Sequence, residues 1–156
     1  MWGGALVQTV GGSSVATPVN SVQTSAFSSS VTTGNTLLVV ILGEIQTTAA
    51  TVTVTDSESN TYTCDILNAY NSGSGNVVSN PGTNNVPAGV SWVGVWRASN
   101  VTGGSSFKLT VTLGGSVDGF FAMTAGEVFG SLAPTSVVDT SSYNAGAGGS
   151  TRWPTR

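Results

Sequence analysis

The chain has 156 residues, enough for one domain with a core of its own, and a formal net charge of −3 from four Lys or Arg against seven Asp or Glu. Charged residues are only 7% of the composition, against roughly 25% in ordinary globular proteins, and no block of Lys or Arg offers a footprint for nucleic acid. Histidine is absent and Cys64 is the single cysteine, which excludes Ser-His-Asp and Cys-His mechanisms, a Cys/His zinc site and a disulfide framework within one chain.

The opening stretch MWGGALVQTV has no basic n-region and no apolar run of about 7 to 15 residues, so no secretory signal is expected in this sequence. Apolar, β-branched segments then recur in the order ALVQTV, VQTSAF, TLLVVILGEI, TVTVT, TYTCDIL, VSWVGVW, FKLTVTL, FFAMTAGEVF and TSVVD. Runs such as GGSS, TTGN, DSESN, NSGSGN, NPGTNN and LGGSVDG separate them, and their Gly, Asn and Asp supply the positive φ angles and Asx turns that reverse a chain. TVTVT and FKLTVTL alternate strictly, and no window carries an apolar helical period of useful length. The expectation is an all-β fold of about nine strands in a single two-layer antiparallel β-sandwich, jelly-roll or immunoglobulin-like.

LLVVIL, Leu37 to Leu42, is apolar on both faces, which predicts a central strand covered on both sides. It is far shorter than the roughly 20 residues that span a bilayer, so no membrane insertion is expected. Residues 68 to 89 hold Gly, Ser, Asn and Pro with little apolar periodicity, which predicts a long mobile or functional loop. The sandwich is expected over residues 1–140, with a flexible Gly/Ser-rich tail over 141–156.

Several residues are candidates for chemistry. Asp56, Glu58 and Asn60 in DSESN present hard oxygen ligands at alternate positions, as a Ca²⁺ site would, but Asp56 and Asn60 also have the side chains that cap a tight hairpin turn. Glu44 and Glu127 alternate onto strand faces with Leu38, Val40 and Leu42 and with Phe121, Met123 and Phe129 respectively. A carboxylate in such a setting should be paired, hydrogen-bonded or protonated, and its pKa is expected to be raised. If the two met, they would form the acid and base of a small glycosidase-like hydrolase.

Trp92 and Trp96, in SWVGVW, lie on one face of a strand about 13 Å apart, a spacing that fits two sugar rings. With Tyr70, Asn100 and the neighbouring Asn68 and Asn71 they would make a glycan platform. The same indoles suit the core, each burying about 200 Å², and core packing is expected of at least one of them.

In their fixed order, VTTGNTLLVVILGE, VTVTDSESNTYT, VWRASNVTGGSSFKLTVTL and AMTAGEVFG resemble a β-sandwich family of large bacterial surface or secreted proteins and phage structural proteins. The resemblance covers about residues 25 to 140. It implies a non-catalytic, extracellular or virion-associated module of adhesion or structure, often found beside carbohydrate-binding domains, and it names no catalytic residues. The aromatic platform makes a polysaccharide or other surface glycan the expected partner. The family pattern continues past VFG with further strands, so a sandwich truncated at its C-terminus is expected to expose strand edges and to self-associate through them.

Overall fold

The structure is a computed structural model that describes residues 5–13, 20–71, 76–79, 83–115 and 120–130. Ten strands are found among them: β1 (Leu6–Ser13), β2 (Ser21–Gln23), β3 (Thr36–Ile45), β4 (Ala50–Asp56), β5 (Thr63–Asn71), β6 (Asn76–Ser79), β7 (Asn85–Val86), β8 (Val90–Ala98), β9 (Leu109–Gly114) and β10 (Phe120–Val128). The all-β expectation holds. The segment TSVVD and the 141–156 tail lie outside the described residues.

The strands form two antiparallel sheets, ordered β1-β10-β3-β8-β5-β6 and β2-β9-β4-β7. First pairs with last, second with ninth, third with eighth, fourth with seventh and fifth with sixth. The chain is thus one long antiparallel hairpin with β5 and β6 at its tip, and rolling it adds the contacts β10·β3, β8·β5 and β9·β4. A rolled hairpin split between two layers is the jelly-roll topology, which selects it over the immunoglobulin-like alternative.

Period-2 alternation fills the space between the layers. Leu37, Val39, Ile41 and Ile45 of β3 are fully buried, as are Val52 of β4 and Leu109, Val111 and Leu113 of β9. Phe27 and Phe107 close one end with an edge-to-face contact at 6.1 Å. β3 thus runs through the core, but the double covering expected of LLVVIL does not occur. Only the odd positions turn inward; Leu42 on the other face is 57% exposed.

The expected long loop after Asn68 is also corrected. β5 continues to Asn71, β6 pairs beside it, and β7 crosses to the second sheet. The stretch lacks apolar periodicity because β6 and β7 are short edge strands, four and two residues long.

Backbone proximity explains the NVTGG stretch. Asn100 takes a left-handed φ of 54°, and a Cβ at Gly103 would stand 2.0 Å from the Val31 carbonyl oxygen. No side chain fits there, so the loop lies directly on residues 31–33. Val101 N–H donates to the Asn35 carbonyl at 3.0 Å and Gly34 N–H to the Val101 carbonyl at 2.9 Å.

Candidate interaction face of the six-stranded sheet

DSESN is a turn. One Asp56 carboxylate oxygen accepts the N–H of Glu58 at 2.8 Å and of Asn60 at 3.1 Å. The other accepts the Asn60 amide at 3.0 Å and the Tyr62 hydroxyl at 2.7 Å. Ser59 supplies the left-handed residue, φ 61°. Asn60 is spent as well, its oxygen taking the Thr102 N–H at 2.7 Å and its amide reaching the Thr102 carbonyl at 3.0 Å. With both Asp56 oxygens occupied by protein donors, the calcium reading of Asp56, Glu58 and Asn60 has no free ligand geometry behind it. Burial, and after it the hydrogen bond to Asp56, raises the Tyr62 phenol far above its ordinary pKa.

Glu44 and Glu127 do not meet, which corrects the paired-carboxylate expectation. On β3, Glu44 pairs with Phe120 and Leu37 pairs with Glu127, so the two carboxylates are seven positions apart along the ladder. That is about 23 Å, and an odd offset puts them on opposite faces. Glu44 is exposed; Glu127 is 0% exposed. A third carboxylate of the sequence, Asp118, lies outside the described residues.

Glu127 anchors a buried junction. It accepts the Gln8 amide at 2.6 Å, the Thr32 N–H at 2.8 Å and the Asn35 amide at 2.7 Å. Asn35 in turn accepts the Gly130 N–H at 3.0 Å. Burial pushes the carboxyl up, but the bonds from Thr32, Gln8 and Asn35 outweigh it and hold the pKa below the ordinary value. The raised pKa expected from the sequence is therefore reversed. Phe129, expected on the same face, is 66% exposed because β10 ends at Val128.

The tryptophan platform is corrected too. Trp92 is 4% and Trp96 1% exposed, both on the core side of β8. Their rings meet edge to face at 6.4 Å and 82°, well inside the strand repeat. Gly94 permits this: a Cβ there would lie 2.4 Å from Trp96 Cζ3, so Trp96 leans across the gap that the glycine leaves. Its indole N–H donates to Asn84 at 3.2 Å, while the Trp92 N–H is buried without a partner among the described residues. Tyr70 and Asn100 do not converge either. Tyr70 pairs with Ser91 near the start of β8, and Asn100 lies beyond its end, about 30 Å away. Cys64 is buried, its thiol 3.4 Å from the Ile66 carbonyl.

What the large sheet turns outward is a surface with an aliphatic centre. In register across β10, β3, β8 and β5 run the rows Gly126–Leu38–Arg97–Thr63, Thr124–Val40–Val95–Ile66, Ala122–Leu42–Val93–Asn68 and Phe120–Glu44–Ser91–Tyr70. Leu42 and Val93 are exposed; Leu38, Val40, Val95 and Ile66 are half-buried. A bulge between Cys64 and Ile66 brings Asp65 onto Arg97, whose Nε and Nη2 donate to the carboxylate at 2.7 and 3.0 Å. The hydrogen bond to Asp65 raises the Arg97 pKa against the opposing effect of burial. At the other end, shallow depressions of about 380 and 190 Å³ flank Ser91, one toward Phe120 and Glu44, the other toward Tyr70 and Asn68. Asn68 Oδ1 is buried there with no donor among the described residues.

The outer face of the small sheet is the opposite in character. Thr51, Thr53 and Thr55 are exposed, and Thr110, Thr112, Ser21 and Gln23 stand beside them in register. The hydroxyls bond across strands, Ser21 with Thr112 at 3.3 Å and Gln23 with Thr110 at 3.1 Å. Sequence reasoning missed the aliphatic face because it assumed LLVVIL to be covered twice; the available signal was that Val93 and Val95 stand opposite to both tryptophans. Comparison with protein-family models, with curated proteins and with solved structures finds no match to this chain.

Proposed function

We propose that the protein is a non-catalytic β-sandwich module, extracellular or virion-associated, that serves as a structural or adhesion domain by laying the outer face of its six-stranded sheet against protein. The observation that carries this reading is the contrast between two outer faces of one molecule. The small sheet displays threonine and serine hydroxyls, as a wet face does, whereas the large sheet displays Leu42 and Val93 among further aliphatic residues. Contiguous exposed apolar surface on an otherwise polar protein marks an interaction site. The separation of Glu44 from Glu127 removes the one catalytic pairing the sequence suggested. The ordered motifs from VTTGN to AGEVFG, similar to those of surface and phage structural proteins, support the same class.

A second reading, glycan binding, is favoured by one feature: Phe120 and Tyr70 end a cross-strand row about 14 Å long that holds Glu44 and Ser91, beside the undonated Asn68 oxygen. Aromatic rings around polar acceptors suit a sugar. A polysaccharide pull-down and glycan panel, run on the wild type and on Tyr70→Ala, separates the readings. The structural module is expected to give no saturable binding. Saturable binding that Tyr70→Ala removes would overturn it in favour of the glycan site.

A further inference from the structure

We infer that the occupant of the outer face of the six-stranded sheet is a second copy of the same face, two sandwiches stacking into four layers about a two-fold axis. This rests on the reading of that face as a protein-binding surface, and names the partner.

Extent is the first support. The four central strands, nine or ten residues long, cover roughly 600 Å² at about 4.8 Å between strands and 3.3 Å per residue, and β1 with β6 bring this to roughly 800 Å². A standard interface takes about 800 Å² from each partner. Shape is the second. A sheet of branched aliphatic side chains is met best by another such sheet, at the roughly 10 Å face-to-face spacing of stacked sheets.

Charge is the third support. Arg97 is neutralised on the face by Asp65, which leaves Glu44, in the last row, as the one carboxylate there without an ion pair among the described residues. An axis lying in the contact plane and running across the strands sends the two copies of Glu44 to opposite ends, so the stack brings no like charges together. Closed two-fold association through one self-complementary patch is also the commonest symmetry of homo-oligomers.

The edges, the other route to self-association, are poorly suited to it. β2 has three residues, β7 two and β6 four, and the longest edge, β1, is bulged at its start between Leu6 and Gln8. Short and bulged edges are the devices by which sheets avoid pairing with other chains.

The test is sedimentation velocity with light scattering over about 5 to 200 μM, on the wild type, Leu42→Glu, Val93→Glu and, as a control on the hydroxyl face, Thr53→Glu. Circular dichroism melts establish that each variant folds. Leu42 and Val93 are opposite one another on adjacent strands, so either serves if the other fails to fold. The expected result is a wild-type dimer, kept in Thr53→Glu and lost in Leu42→Glu or Val93→Glu. A monomeric wild type across the range would overturn the second copy while leaving the structural reading to the glycan panel. A dimer that persists in both face variants would also overturn it, in favour of edge pairing.

Discussion

Among single residues, Glu127 is the most consequential. Its carboxylate is buried and takes donors from β1, from residues 32–35 and, through Asn35, from Gly130. Glu127→Gln turns an acceptor-only group into one that points N–H at N–H, and is expected to cost about 3 kcal/mol in urea unfolding, because buried donors lose partners to a charged acceptor. Its pKa is lowered on folding. The stability it contributes is therefore fully present above the ordinary carboxylate range and is lost as pH falls through the lowered value. Urea midpoints measured downward from neutral pH should fall steeply in the wild type and less so in Glu127→Gln; equal slopes would mean that another carboxylate dominates. The sequence marked Glu127 as anomalous but not as ionised, because its donors lie 92 to 119 positions away. The capping of the turn by Asp56 and Asn60 was legible, since those groups are local, whereas the Tyr62 hydroxyl on Asp56 was not read.

For the strands, the informative comparison is between β8 and β4. In TVTVT the polar and apolar residues alternate, so the sequence states which side is wet, and the structure agrees. In VSWVGVW both sides are apolar, and alternation groups Trp92 with Trp96 without choosing their face. The glycine between them settles the packing: Trp96 occupies the space over Gly94. Gly94→Ala is expected to destabilise by about 2 to 3 kcal/mol, since its methyl collides with a fully buried ring that has no free volume to enter. Thermal unfolding followed by near-UV circular dichroism of the indoles would report it; an unchanged melt would show that Trp96 has another rotamer available. The length and position of the strands were readable from turn residues at TTGN, DSESN and NVTGG. The edge strands β6 and β7 were not, because short edges carry no alternation to detect.

At the level of the whole molecule, the composition and spacing of segments gave the class and the two layers, whereas the roll was beyond reach, since nothing local states that β10 inserts between β1 and β3. That insertion also bears on how the chain acquires its fold. During synthesis β1 and β3 emerge long before β10, and neither can complete its ladder until residues 120–128 have been made. Folding is therefore gated by the last strand of the roll, with loop closure over more than a hundred residues ahead of the pairs that reward it. Refolding from urea, followed by the fluorescence of Trp92 and Trp96, should run in milliseconds to seconds rather than microseconds, and a nascent chain halted before Phe120 should stay protease-sensitive. Until then the aliphatic strands that build the large sheet stand without their neighbour, which makes the interval before β10 arrives the period in which this protein most needs protection from aggregation.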